Sequence, residues 1–400
     1  MRNPSAFLRD EYEQLVRDEL DWKLRVLKGP SGPWCVVDGK NVLMLCSNNY
    51  LGLCTHKKLK EAASRAAKSH GTGSGSVRTI AGNMDLHMEL ERRLARFKGV
   101  EASLVYQSGY ATNVGLIPQL ADKEDLIISD ELNHGSLIDG IRLSHAERAV
   151  YRHSDAGDLE RVIDEAERRT SSYRRILIVT DGVFSMDGDI APLDRLAKLA
   201  LEHGAMLYVD DAHGEGVLGE GGRGIVSHFK LSRDAVQVEM GTFSKAFGAV
   251  GGHISGSRDL INFAYNRSRS FLLSTSHPPA VVAACIAAID VLEREPRHVQ
   301  RLWENTRFFK RGMKDLGFDT GRSETPITPI LVGESSVAKM MSRKLFEEGV
   351  FALPIVYPLV AKGQARIRTI MNAQLTTEDL DFAMRAFEKA GNELRITKGN

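Results

Sequence analysis

The feature that most restricts the fold of this chain is an alternation of short apolar segments with longer segments between residues 100 and 256. The short segments are predicted to be strands because they are almost continuously apolar, and most of the longer ones have the length of helices. Strands that alternate with helices form a mainly parallel sheet with helices on both faces. Seven strands are predicted: Ser103–Tyr106, Leu126–Ser129, Ala149–Arg152, Ile176–Thr180, Met206–Val209, Val236–Met240 and Gly251–Ser255.

Polar and reactive residues stand where several of these strands end. The carboxyl ends of parallel strands meet at one edge of a sheet, and ligands of such sheets bind there. The sequence therefore predicts one functional site at this edge. Its candidate residues are Ser108-Gly109-Tyr110, Asn133-His134, Ser185, Asp210, His213 and Lys245.

Lys245 lies in a turn rich in Gly, Thr and Ser that follows a predicted strand. A lysine fixed in such a turn can be partly desolvated, which lowers its pKa and favours the neutral amine that attacks carbonyl groups. Asp210 follows another strand, and His213 comes three residues later. This combination suits pyridoxal phosphate (PLP), because the lysine can form the Schiff base while the acid pairs with the pyridinium nitrogen. Taken singly, the two residues could be a surface lysine and a helix N-cap.

Three segments around these residues resemble the signatures of the α-oxoamine synthases, fold-type I PLP enzymes that join an amino acid to an acyl-CoA. They are Thr180–Asp189 (TDGVFSMDGD), Val209–Gly214 (VDDAHG) and Gly241–Lys245 (GTFSK). The resemblance extends from about Tyr50 to the C-terminal helix. It implies PLP as the cofactor and a homodimer with shared active sites.

The resemblance also implies how the ring of the cofactor is held. Lys245 would carry PLP, His134 would stack on the pyridine ring, and Asp210 would pair with the ring nitrogen. Ser185 and His213 would hold the ring oxygen. Low dielectric would strengthen the pair of Asp210 with the pyridinium ion and keep the ring able to accept electrons.

The phosphate of PLP would be bound at a helix start. Ser108-Gly109-Tyr110 follows a strand and precedes a helix, so its amides can face a phosphate. By resemblance, the backbone of Gly109 and Tyr110 does so, together with Thr242. Ser274 and Thr275 would add hydroxyls from the other subunit, which would make the dimer obligatory.

In the reaction implied by the resemblance, Arg368 and Asn48 hold the carboxylate of the amino acid beside His134. The amine of Lys245 then removes the α-proton as general base. The resulting carbanion attacks the acyl-CoA thioester, and CoA leaves. The residues to which we assign catalytic roles are Lys245, His134, Asp210 and His213.

Within the family, three segments favour glycine C-acetyltransferase, also named 2-amino-3-ketobutyrate CoA ligase. They are Ser76–Arg78, the Tyr357-Pro358 pair and Gly363–Met371. We therefore expect condensation of glycine with acetyl-CoA to 2-amino-3-oxobutanoate and CoA. The alternatives are 8-amino-7-oxononanoate synthase, which joins alanine to a pimeloyl thioester and decarboxylates it, another α-oxoamine synthase, or an aminotransferase-like PLP enzyme. Two positions depart from the family: Leu375 replaces the usual histidine, and Ser244 replaces a glycine that many members have.

The 400 residues, of which 42% are hydrophobic, can form a large and a smaller domain. We predict an N-terminal arm over residues 1–50, with an amphipathic helix over residues 5–28. A large PLP-binding domain is predicted over residues 51–295, and a small C-terminal α/β domain over residues 296–400. In the small domain, the period of two places both arginines of Arg366–Arg368 on one face of a strand. They are expected either to bind an anion or to be solvated charges on an edge strand.

Composition excludes several other classes of protein. The net charge is +1 with both signs mixed along the chain, which does not indicate a nucleic-acid or membrane surface. No apolar run reaches the ~18 residues of a transmembrane helix, and the charged N-terminus lacks the apolar core of a signal peptide. The four cysteines lack CxxC and metal-ligand spacing, which predicts reduced thiols. We therefore expect a cytoplasmic protein without a metal site.

Overall fold

The computed structural model describes residues 3–18, 20–168, 173–232 and 234–397. In chain order, the strands are β1 Leu27–Lys28, β2 Trp34–Val37, β3 Lys40–Met44, β4 Ala102–Tyr106, β5 Asp125–Asp130, β6 Glu147–Tyr151, β7 Arg175–Asp181, β8 Met206–Asp210, β9 Val238–Thr242, β10 Gly252–Gly256, β11 Ile327–Gly333, β12 Val350–Phe351, β13 Leu353–Ile355 and β14 Ala365–Ile370. The α-helices are α1 Phe7–Arg17, α2 Lys57–His70, α3 Asp85–Lys98, α4 Gly109–Leu120, α5 Gly135–Arg142, α6 Ala156–Glu167, α7 Leu193–Glu202, α8 Ile225–His228, α9 Arg258–Arg267, α10 Arg269–Leu272, α11 Pro279–Arg294, α12 Arg297–Asp315, α13 Ser335–Glu347 and α14 Thr377–Leu394.

The large sheet has seven strands in the order β4-β10-β9-β8-β7-β5-β6. Strands β6, β5, β7, β8 and β9 pair in parallel, whereas β10 is antiparallel to both of its neighbours. The predicted mainly parallel seven-stranded α/β fold is therefore confirmed. One strand begins and ends two residues later than predicted, because β9 continues to Thr242, which pairs with Gly252 of β10.

Both faces of this sheet are covered by helices, as predicted. Neighbouring residues of a strand point to opposite faces, and in β5 Ile127 packs in one hydrophobic cluster while Ile128 packs in the other. The first cluster includes Leu116 of α4, and the second includes Leu196 of α7. Each of these side chains is fully buried, which contributes about 1.5–3 kcal/mol per side chain to folding.

Two small sheets contain the remaining strands, in the orders β1-β2-β3-β12 and β11-β14-β13. The single strand predicted over residues 350–353 is in fact two strands in different sheets, because β12 pairs with β3 while β13 pairs with β14. The predicted domain boundaries stay a prediction. The pairing of β3 with β12 nevertheless joins residues before position 50 to the C-terminal part of the chain.

The N-terminal helix is shorter than the predicted range of residues 5–28, since α1 ends at Arg17. Its apolar pattern does not continue as a helix because residues 27–28 pair with β2, and Val26 N donates a hydrogen bond to Asp38 Oδ1 at 2.8 Å. No residue of α1 is buried. Within the described parts of the chain, none of the helices has the length and apolar character needed to span a membrane. Cytoplasmic localisation stays a prediction.

Candidate active site

The carboxyl ends of β7, β8 and β9 lie side by side at one edge of the large sheet. Asp181 ends β7 and Asp210 ends β8, and the two aspartates are direct neighbours in the parallel pairing. Lys245 follows the end of β9, and His134 is the N-cap residue of α5. The structure therefore brings the predicted lysine, acid and imidazole together, and adds a second carboxylate.

The amine of Lys245 is suited to nucleophilic and base chemistry. The turn that carries it closes with a hydrogen bond from Gly248 N to Lys245 O at 3.0 Å. Gly248 has a φ of +66°, and a Cβ there would lie 2.3 Å from Cys54 N, so only glycine fits. Burial lowers the pKa of Lys245 to about 8, although the nearby Asp210 and Asp181 act in the opposite direction. At neutral pH, about one amine in ten is therefore unprotonated.

Asp210 is buried and held as a carboxylate acceptor. Its Oδ2 accepts a hydrogen bond from Asn113 Nδ2 at 2.8 Å, and its Oδ1 accepts one from Ala212 N at 3.0 Å. Asn113 is itself fixed, because Tyr208 Oη donates to its Oδ1 at 2.7 Å and its Nδ2 also donates to Ser136 Oγ at 2.8 Å. A carboxylate that two donors already orient can receive a third partner, such as a pyridinium N–H.

Asp181 fixes the start of α5. Its Oδ2 accepts a hydrogen bond from His134 N at 2.6 Å, and burial together with the charge of Asp210 raises its pKa well above the usual range. The Nδ1 of His134 accepts a hydrogen bond from Ser136 N at 3.2 Å and lies 2.7 Å from Ser136 Oγ, while the residue is exposed at the surface. Burial by the surrounding groups lowers the pKa of this ring, although the negative charge of Asp210 acts to raise it. A neutral, flat imidazole is therefore available for stacking.

His213 is buried and neutral. Burial lowers its pKa well below the usual value, and the positive charges of Lys245 and Arg368 act in the same direction. Its Nδ1 lies 2.8 Å from Tyr50 Oη. Burial raises the pKa of Tyr50, so its hydroxyl is protonated and able to donate this bond to Nδ1. In that tautomer the imidazole proton is on Nε2, where it can be donated to a ligand oxygen.

The start of α4 has the geometry of an anion site. Ser108 caps the helix by accepting a bond from Ala111 N at 3.1 Å. A Cβ on Gly109 would lie 3.0 Å from Met240 Cε, so glycine lets the helix start approach β9 closely. Nearby, Thr242 Oγ1 contacts Ser244 Oγ at 2.8 Å and Gly251 O at 2.7 Å. Tyr110 is exposed, and its hydroxyl donates to Asp139 Oδ2 at 3.1 Å, so its backbone rather than its side chain is suited to a phosphate.

Ser274 and Thr275 lie next to the residue that precedes this helix start. Gln107 Nε2 donates to Thr275 O at 2.5 Å and to Ser274 O at 3.4 Å. Thr275 also forms an isolated bridge with Val77. These contacts use the backbone, so both hydroxyls are free of them. The assignment of these hydroxyls to the site of a second subunit stays a prediction.

The two arginines of β14 face the loop that carries Ser185, but they have different partners. Arg366 is buried and forms an ion pair with Asp187. Arg368 is half-buried and donates from Nε to Ser185 O at 2.5 Å and from Nη2 to Asn48 Oδ1 at 3.4 Å. The alternative of solvated edge charges is wrong, because β14 is the central strand of its sheet. Arg368 and Asn48 thus offer adjacent donors for a carboxylate.

The residues at this edge fit PLP. They supply an amine of lowered pKa, a buried and oriented carboxylate, a neutral imidazole beside them and a capped helix start, which match the aldehyde, ring nitrogen, ring face and phosphate of the cofactor. Sequence reasoning missed Asn113, Asp181, Tyr50 and Tyr208, which orient the predicted residues. A weak signal exists for Asn113, because it is a polar residue in a helix that continues as Val-Gly-Leu-Ile.

Comparison with known proteins places the chain in a family. Residues 40–387 match the family model of aminotransferase class I and II. An 8-amino-7-oxononanoate synthase from Thermoanaerobacter pseudethanolicus is 54% identical over 390 residues, which cover 98% of each chain. The 8-amino-7-oxononanoate synthase 1 of Bacillus subtilis is 50% identical over 396 residues, which cover 99% of this chain and 100% of that one. A solved structure of serine palmitoyltransferase from S. paucimobilis with bound PLP–myriocin has a TM-score of 0.91 and 29% identity, covering 99% and 100% of the two chains.

The prediction of a glycine C-acetyltransferase is wrong, because relatives at 50–54% identity over nearly the whole chain are 8-amino-7-oxononanoate synthases. Two arginines in the segments that favoured it have structural partners. Arg78 forms a buried ion pair with Glu91 at 2.9 Å, and Arg366 pairs with Asp187. The predicted cofactor is confirmed. The chain therefore belongs to the aminotransferase class I and II family, in which it is an acyltransferase of the α-oxoamine synthase type with PLP as its cofactor.

Proposed function

We propose that this chain is an 8-amino-7-oxononanoate synthase. It condenses alanine with a pimeloyl thioester and releases carbon dioxide and the thiol. The observation that carries the proposal is the identity of 50–54% to synthases of this name over nearly full length. The carbon count agrees, because the seven carbons of the pimeloyl group and two of the three carbons of alanine make the nine-carbon product.

Lys245 is assigned two tasks. Its amine holds the cofactor before alanine arrives, and once displaced it accepts the α-proton of alanine. A pKa of about 8 suits both tasks, since the neutral amine is accessible near neutral pH and still basic enough to take a proton. When bound, PLP supplies the electron sink that stabilises the carbanion at the α-carbon.

The side chains around Lys245 hold the ring. Asp210 keeps the ring nitrogen charged, and its two existing hydrogen bonds fix its orientation. His134 would stack on one face of the ring. His213, through Nε2, and the hydroxyl of Ser185 would hold the ring oxygen, with Tyr50 bonded to Nδ1 of His213.

The carboxylate of alanine binds Arg368 and Asn48. Arg368 is anchored by its Nε bond to Ser185 O at 2.5 Å and its Nη2 bond to Asn48 Oδ1 at 3.4 Å, which leaves Nη1 and the second N–H of Nη2 for the substrate. Fixing the carboxylate orients the α C–H bond toward Lys245, and this positioning accelerates proton removal. The arginine does not discriminate between amino acids, because every α-amino acid carries this carboxylate.

The phosphate is assigned to the amides of Gly109 and Tyr110 with the hydroxyl of Thr242. Ser274 and Thr275 complete the phosphate site of the partner subunit, so the enzyme is an obligatory homodimer. Mixing inactive Lys245→Ala with the double variant Ser274→Ala/Thr275→Ala then restores activity in part, because one site of each mixed dimer is intact. A monomer that is active at nanomolar concentration would contradict this arrangement.

A substrate screen tests the proposed function. Purified enzyme is loaded with PLP, and thiol release is measured for alanine with pimeloyl-CoA and for glycine with acetyl-CoA. We expect kcat/KM for the alanine and pimeloyl pair to be at least about tenfold higher, because a single methylene group in a fitted pocket changes binding by about 1–3 kcal/mol and glycine with acetyl-CoA lacks several carbons. Faster release with glycine and acetyl-CoA would reject the proposal.

A further inference from the structure

A cluster of buried ionisable side chains lies beside the turn of Lys245 and has no part in the chemistry described above. Lys98, the last residue of α3, places Nζ 2.9 Å from Glu215 Oε1 and 3.8 Å from Asp211 Oδ2, and it also pairs with Glu239. His253 Nε2 lies 2.9 Å from Glu215 Oε2. All five side chains are at most 6% exposed.

Such a cluster is not required for stability alone. Burying a charge is costly, and a buried ion pair is often no more stabilising than apolar residues of the same volume. Burial alone would raise the pKa of Glu215, but His253 and Lys98 lower this pKa to about 2. Burial raises the pKa of Asp211 and of Glu239, against the effect of Lys98. Glu215 is therefore the carboxylate of this cluster that stays ionised, between Lys98 and His253.

Glu215 lies directly against the end of β9. A Cβ on Gly241 would be 2.0 Å from Glu215 Oε2, so the carboxylate fills the place of a side chain there. The register between β9 and β10 puts His253 opposite Gly241. Glu215 and its partner His253 thus both lie against Gly241, Glu215 over its face and His253 as its neighbour on β10. The pairing of β9 with β8 ends at Met240, so no β8 residue supports this part of β9.

The residue after Glu215 lies against the other side of the same turn. A Cβ on Gly216 would be 2.4 Å from Ala246 Cβ. In addition, the ring of Phe243 packs on His253 with a centroid distance of 5.1 Å. The loop at Glu215 therefore contacts the chain both before and after Lys245, at Gly241 and at Ala246.

We propose that Glu215 is a positioning residue for Lys245, which it fixes through Gly241 while Lys98 and His253 hold its carboxylate. This inference rests on the proposed role of Lys245 as the residue that carries PLP. A turn held at both ends keeps the amine in the geometry that proton transfer needs. A displacement of about 1 Å at a reacting group can cost about a hundredfold in rate.

The experiment compares Glu215→Gln, which keeps the shape and removes the charge, with Asp125→Asn. Asp125 is an equally buried carboxylate between two arginines, Arg174 and Arg175, at the opposite edge of the sheet. We expect Glu215→Gln to lower kcat about 10- to 100-fold, with KM for alanine changed less than about threefold. The pH at which the visible absorbance of bound PLP changes should shift by at least about half a unit. Asp125→Asn should leave kcat within about twofold of the wild-type value, and the pH of the absorbance change within about a tenth of a unit.

Borohydride labelling of the wild-type holoenzyme separates the two claims. If Lys245 is not labelled, the assignment of PLP to Lys245 fails and this inference falls with it. If Lys245 is labelled but Glu215→Gln keeps the wild-type absorbance profile and kcat, the inference alone is overturned. Equal changes in Asp125→Asn would also overturn it. Should Glu215→Gln not fold, His253→Gln, which leaves Glu215 paired with Lys98, is measured by the same criteria.

Discussion

Replacing Arg368 with alanine is predicted to lower kcat/KM for the amino acid by about ten- to 150-fold. The half-buried guanidinium is already anchored on Ser185 O at 2.5 Å, so little ordering is needed when the substrate carboxylate binds. A charge-assisted hydrogen bond contributes about 1.5–3 kcal/mol net. Each 1.36 kcal/mol corresponds to about tenfold in rate, which gives the stated range.

The assay measures initial rates of thiol release while alanine is varied at saturating pimeloyl-CoA, and then the reverse. KM for the thioester should change less than about threefold, because the thioester does not use the guanidinium. Arg366→Gln is the matched control, since Arg366 lies two residues away on the same face but is paired with Asp187. It should lower the melting temperature rather than raise KM for alanine. An Arg368→Ala enzyme with wild-type kcat/KM for alanine would refute the carboxylate assignment.

Three further predictions concern His153, Asp181 and Asn113. His153 lies 3.1 Å from Asp130 Oδ1 and 2.8 Å from Asp189 Oδ2, and these carboxylates raise its pKa to about 10. The folded state therefore binds this proton more tightly than the unfolded state does. The melting temperature of wild type should exceed that of His153→Gln most below about pH 6.5, and the difference should vanish as the pH rises through about 10. A difference that does not change with pH would contradict this. Asp181→Asn should keep at least about a third of the wild-type kcat, because the raised pKa of Asp181 indicates that a neutral acceptor is sufficient for His134 N. Asp181→Ala removes the acceptor and should lower kcat about tenfold or more. Equal losses of kcat in the two variants would refute this reasoning. Asn113→Leu should weaken PLP binding about tenfold in a fluorescence titration, because Asp210 loses a hydrogen bond worth about 1.5–3 kcal/mol. An unchanged affinity for PLP would argue against a role for Asn113.

The architecture of the large sheet could be predicted because most of its strands are buried on both faces and are therefore largely apolar. The strand-end rule then placed Asp210 and Lys245 at one edge. Two predictions failed where strand pairing, rather than the local apolar pattern, decides which element forms. The strand predicted over residues 350–353 is two strands, of which β12 pairs with β3 and β13 pairs with β14. The apolar pattern after Arg17 belongs partly to β1 rather than to a helix.

The residues that orient the site could not be predicted, because their partners are brought in by the fold. Asn113 meets Asp210 across 97 positions, and Tyr50 meets His213 across 163. Apart from the polar Asn113 in an otherwise apolar helix segment, local sequence contains no sign of these contacts. The choice between glycine and alanine failed for another reason: Arg368 binds the part of the substrate that all amino acids share, and Arg78 and Arg366 have structural partners.

The fate of the carboxyl carbon of the amino acid tests the central claim most directly. The holoenzyme is incubated with pimeloyl-CoA and alanine labelled at the carboxyl carbon, and carbon dioxide, thiol and product are quantified by mass spectrometry. The account predicts one labelled carbon dioxide for each thiol released, and a nine-carbon amino-oxo acid without label. Label retained in the condensation product, or no condensation of alanine with the pimeloyl group, would contradict it.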